Sequence, residues 1–216
     1  MFYASYGSFM HKLIERYYMG TLSKEDMLTE FLLNFQTEVK GDRPNAKIVE
    51  KYINAGVEYL KSFNPFPYNM IEVEKRVDFE LSGNKFVGFI DFLGELDGEL
   101  YIVDNKSRDM KPRSKRKKPT QKDMELDEML RQLYIYSEAI KQEYGRYPKG
   151  LCFNCFKSGV FIEEPFKEDA CRNAIEWAVK SIEYIKDENW FNPSIDYFGC
   201  RYLCGVSDEC CYIERR

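Results

Sequence analysis

Apolar positions along the chain follow two periods, and the change between them divides the sequence. Phe9, Leu13 and Tyr17 recur at helical spacing, which predicts a helix from about Ser5 to Met19, ended by Gly20. Ser23-Lys24-Glu25-Asp26 reads as the cap of a second helix running to about Val39. A third spans about Ala46 to Ser62 and stops at Asn64-Pro65-Phe66-Pro67. The period then becomes two. Val73, Val77, Phe79 and Leu81 alternate with charged residues, Phe86 to Leu93 forms a second strand, and Asp97-Gly98 turns the chain into a third from Leu100 to Asp104. Residues 72 to 106 therefore read as a three-stranded antiparallel meander. A long helix follows from Lys122 to Tyr144, then a strand from Leu151 to Phe156, then a helix from Glu168 to Lys186 with Ala174, Ile175, Ala178, Ile182 and Ile185 inward. This order implies an α/β fold: a central mixed β-sheet containing the meander, flanked by helices. The link from the third strand through the long helix to Leu151 suits a parallel crossover. One domain is expected over 1–191, with a Cys-rich C-terminal tail over 192–216 packing on it.

Composition narrows the class. Of 216 residues, 44% are hydrophobic and 16% aromatic, enough for a substantial core. No apolar run approaches the ~20 residues of a membrane span, and no signal peptide opens the chain, so a cytoplasmic protein is expected. The net charge of -4 argues against a generally basic nucleic-acid binder. Yet between Lys106 and Lys122 lie Arg108, Lys111, Arg113, Lys115, Arg116, Lys117 and Lys118, opposed only by Asp109. Such a patch either steers a polyanion or forms a solvated loop.

Candidate chemistry gathers around the meander. Asp91 lies late in the second strand and Asp104 ends the third, so a sheet could bring both carboxylates together, an oxygen-rich setting for a hard cation. Lys106, two residues beyond Asp104, points to the same side of the strand. The acid-x-Lys spacing alone says little, since Glu38-Val39-Lys40 and Asp109-Met110-Lys111 share it. His11, the sole histidine, is either a structural imidazole or a metal ligand. Gln132 and Tyr136 stand one turn apart on the long helix. Cysteines Cys200, Cys204, Cys210 and Cys211 crowd the tail, where a metal is one reading and free thiols another. Cys152 and Cys155 read as small strand hydrophobes.

Taken together, Gly7-Ser8-Phe9-Met10-His11, Gly88-Phe89-Ile90-Asp91, Val103-Asp104-Asn105-Lys106-Ser107 and Gln132-Leu133-Tyr134-Ile135-Tyr136 resemble the ordered motifs of RecB-like nucleases of the PD-(D/E)XK superfamily, CRISPR-associated and phage-encoded exonucleases among them. That resemblance implies a restriction-endonuclease-like core and phosphodiester hydrolysis of DNA, at single strands or duplex ends, in a bacterium or phage. It implies Mg2+ or Mn2+ held by His11, Asp91, Asp104 and the Asn105 carbonyl, with Lys106 catalytic and Gln132 and Tyr136 on the following motif. Cys200-x3-Cys204-x5-Cys210 is similar to the C-terminal triplet of iron–sulfur members, which implies a 4Fe-4S cluster; zinc is an alternative, and the fourth ligand is absent from this chain. The second functional reading is a non-catalytic nucleic-acid- or partner-binding module on the same fold.

Overall fold

A computed structural model describes residues 2–41, 43–187, 196, 199–200, 204–206 and 209–212. Three helices open the chain: α1 (Phe2–Tyr18), α2 (Lys24–Glu38) and α3 (Ala46–Lys61). Ser23 Oγ accepts the Asp26 amide at the start of α2, and Asn45 caps α3 by accepting from Ile48. The meander follows as β1 (Asn69–Leu81), β2 (Asn84–Leu96) and β3 (Glu99–Lys106), then α4 (Gln121–Tyr144), β4 (Gly150–Cys155), β5 (Val160–Pro165) and α5 (Glu168–Asp187).

The strands lie in the order β1-β2-β3-β4-β5. All neighbours are antiparallel except β3 and β4, which α4 joins in parallel. This is the expected mixed sheet with one crossover. Its two faces feed two apolar clusters. Phe9, Leu13, Phe31 and Leu60 from α1–α3 meet Phe92, Val103 and Cys152 on one side. Leu126, Leu130, Leu133 and Ile140 of α4 and Cys171 and Ala174 of α5 meet Ile90, Ile102 and Phe153 on the other. Every residue of β4 is buried, as a central strand covered on both faces must be. Cys152 and Cys155 pack there as small hydrophobes, each 0% exposed.

Two expectations change. The strand β5 is absent from the hydropathy pattern, because its two buried positions are Ile162 and Glu164 and it ends at Pro165. Glu164 is tolerated inward because Arg113 Nε meets it at 2.8 Å. The inward stripe of α5 is Cys171, Ala174 and Ala178, whereas Ile185 is 60% exposed. By that point the helix has reached the β1–β2 turn, where Lys186 Nζ donates to Asn84 Oδ1. The proposed packing of the 192–216 tail falls largely outside the described residues.

Candidate active site

The two strand registers decide where the acids meet. Counting rungs from the Leu81–Asn84 hairpin pair, Glu74 falls opposite Asp91, between the Val73–Phe92 and Lys75–Ile90 pairs. Counting from Leu96–Glu99, Asp104 falls opposite Asp91, one rung beyond Phe92–Val103, where the β2–β3 ladder stops. Three carboxylates thus form a row across three strands. Asp91 itself sits in mid-strand, since β2 extends past Leu93.

His11, one turn after Gly7 on α1, places Nδ1 3.4 Å from Asp91 Oδ2. Asp91 Oδ2 also accepts the Asn105 amide at 2.7 Å. The Asn105 side chain accepts from Asn154 Nδ2 at 2.7 Å, and Asn154 Nδ2 also reaches the Tyr59 hydroxyl at 2.7 Å. This buried amide chain fixes the end of β3 against β4. Lys106 Nζ lies 2.6 Å from Asp104 Oδ2 and donates to Gln132 Oε1 at 3.3 Å; Gln132 Nε2 in turn donates to Tyr136 OH at 3.0 Å. Asp104 is only 5% exposed, and the Lys106 ammonium is its close charged partner.

Burial dominates the electrostatics. It lowers the His11 pKa below its usual value, more than Asp104 and the Asn105 backbone raise it, which favours the neutral imidazole a metal ligand requires. It raises Asp91. Asp104 is pushed up to about 6 by burial and Asp91, against the opposing pull of Lys106. Glu74 is pushed up to about 7, first by burial, then by Asp91, Glu15 and Asp104.

Glu74 was not among the motif residues. The rung count from the hairpin turn is the signal that would have found it. Its carboxylate, the His11 imidazole and the Asp91 carboxylate offer ligand atoms all within 4.8 Å of one another. One imidazole and two carboxylates within ligand reach of one another suit a hard divalent cation.

The basic stretch divides into an anchor and a projecting loop. Arg113 is committed to Asp127 at 2.6 Å and Glu164 at 2.8 Å. Asp123 accepts from the amides and hydroxyls of Ser114 and Thr120, which closes the loop at its base and holds its own carboxyl well below the usual range. Between these clamps Lys115, Arg116, Lys117 and Lys118 are exposed. Arg108 rests on Met129 Sδ, and Lys111 is exposed beside it. Tail residues Cys200, Cys204 and Cys210 are free thiols, and among the described residues they form no ligand group with one another or with any His, Asp or Glu.

The comparisons with known proteins agree with this architecture. The family model of the PD-(D/E)XK nuclease superfamily matches residues 2–211, and the chain belongs to that superfamily. A crystal structure of a protein from Eubacterium rectale, described as a candidate exonuclease, aligns with a TM-score of 0.50 over 98% of this chain and 76% of that one, at 13% identity. At that identity the likeness speaks for the fold. A search of curated proteins gives no match. No helix among the described residues is long and apolar enough to cross a membrane.

Proposed function

We propose that the protein is a divalent-metal-dependent DNA nuclease, acting as an exonuclease on single strands or duplex ends. The observation that carries this is the convergence of His11, Asp91, Asp104 and Lys106, from a helix and two strands, on one place. His11, Asp91, Asp104 and the Asn105 carbonyl would hold the cation. When bound, Mg2+ or Mn2+ supplies Lewis acidity at the scissile phosphate and acidifies water.

The remaining work falls to the chain. Lys106 presents its ammonium to the phosphate, where it offsets charge that grows during in-line attack. Gln132 and Tyr136 hold Lys106 in position by a relay of two hydrogen bonds. Asn154, through Asn105, keeps the end of β3 from shifting. The exposed cations Lys115 to Lys118, with Arg108 and Lys111, would track the phosphate backbone. Arg113 serves to hold that loop. The tail cysteines have no step in this proposal.

Asp104→Ala and Lys106→Ala should each abolish Mn2+-dependent degradation of end-labelled DNA while the far-ultraviolet circular dichroism is retained. Full activity in either variant overturns the assignment. DNA binding that survives EDTA, with no cleavage under any metal, would mark a non-catalytic binding module instead.

A further inference from the structure

Glu74 is the half-buried acid that the motif residues leave unexplained. Its strand pairs with β2 from Glu72 to Leu81 except at Glu74 itself, whose backbone has φ +48°. A non-glycine residue in the left-handed region costs on the order of 1–3 kcal/mol and persists only where the surroundings hold it. Among the described residues, nothing donates a hydrogen bond to its carboxylate and no cation pairs with it. Its ligand atom nevertheless lies within 4.8 Å of those of His11 and Asp91.

The second observation is Asp104. It is 5% exposed, and its Oδ2 lies 2.6 Å from the Lys106 ammonium, the one cation paired with it among the described residues. Glu74 lies in the field of Asp91, Glu15 and Asp104, and the Lys106 ammonium at Asp104 offsets only part of that negative charge when the acids are ionised. A divalent cation would offset that excess, to which Glu74 contributes.

We infer that Glu74 is a further protein ligand of the cation held by His11 and Asp91. The inference rests on the nuclease reading for the site's identity as a cation centre. It assigns the strained residue of β1 to metal capture. The resulting donor set, an imidazole with carboxylate oxygens, suits Mn2+ as well as Mg2+.

The test uses the full chain without DNA and Mn2+ as probe, titrated by calorimetry and by loss of the free-ion electron paramagnetic resonance signal. Glu74→Gln should weaken Mn2+ binding about tenfold or more. It should also raise the melting temperature of the metal-free chain, because one of three crowded carboxylates becomes neutral. A purely structural Glu74 gives the opposite pair: a lower metal-free melting temperature and unchanged Mn2+ affinity. Glu74→Asp retains the charge but withdraws the oxygen by one methylene. Weaker binding by that variant supports the inference even if Glu74→Gln does not fold, and unchanged binding overturns it. Unaltered affinity in Glu74→Gln, alongside loss in Asp91→Asn, sinks the role of Glu74 and leaves the nuclease reading standing. A wild-type chain that binds no Mn2+ sinks both.

Discussion

Replacing Gly88 by alanine perturbs the proposed catalytic lysine through α4, which both residues face, without touching any acid. A β-carbon at position 88 would lie 2.5 Å from Tyr136 Cε1, 2.9 Å from Cζ and 3.0 Å from the hydroxyl. Carbon–carbon contacts settle near 3.5 Å, so the ring must retreat by about 1 Å. Tyr136 is tied to Gln132 by a 3.0 Å hydrogen bond, and Gln132 to Lys106 by one of 3.3 Å. The retreat therefore pulls on the relay that holds Lys106 over Asp104. Overpacking of this kind costs about 1–3 kcal/mol of stability. Misplacing a catalytic group by about 1 Å costs on the order of 100-fold in rate. Urea denaturation should show the first effect and steady-state cleavage of labelled DNA the second. The decisive measurement is a double-mutant cycle with Tyr136→Ala. If the ring is the cause, Gly88→Ala costs little stability in the Tyr136→Ala background, and the coupling nearly equals the single-mutant penalty. Additive costs would refute the reasoning, as would a Gly88→Ala protein with wild-type stability and rate.

Two further outcomes follow from the electrostatics. Asp104 and Glu74 have folded-state pKa values of about 6 and about 7, above their ordinary 3.8 and 4.5. Between those limits the folded chain holds protons that the unfolded chain has released, so metal-free stability should fall as pH rises from about 4 to about 7. Melting curves in EDTA at pH 5 and pH 7.5 check this, and equal or higher stability at pH 7.5 contradicts it; added Mn2+ should remove the loss. The basic stretch should separate into two behaviours. Arg113→Ala strands the largely buried Glu164 and should cost about 2 kcal/mol in urea denaturation, discounted for the partial exposure of the arginine. Joint alanine replacement of Lys115, Arg116, Lys117 and Lys118 should leave stability within about 0.5 kcal/mol. It should flatten the dependence of log DNA affinity on log salt by about 0.9 for each phosphate no longer neutralised, and an unchanged slope would remove the loop from the interface.

The elements that could be read from the sequence are those in which local pattern and tertiary environment agree. The α4 helix carries its own capping box at Thr120 and Asp123 and its own left-handed Gly145 end, so neighbours were not needed to place it. The meander was legible for the same reason, because Asp97-Gly98 fixes the turn and one face of each strand is apolar. The β5 strand was not, because its inward Glu164 is explained only by Arg113, 51 residues earlier in the chain.

At the candidate site the same division holds. Asp91, Asp104 and Lys106 stand out because strand periodicity is local, and the two-residue spacing puts the last two on one side of β3. Motif order added His11, Gln132 and Tyr136. Sequence reasoning missed Glu74, since its relation to Asp91 is a rung of strand pairing and not a spacing along the chain. It also treated Arg113 as one more cation of the loop, although its two carboxylate partners make it an anchor. Residue types, helix caps, turns and the alternation of strands were thus set by the sequence alone, because each depends on a few neighbouring residues. Only the tertiary structure decided which charges are paired, which acids lie beside the imidazole, and where the strand backbone turns left-handed, because those depend on contacts between segments far apart in the chain.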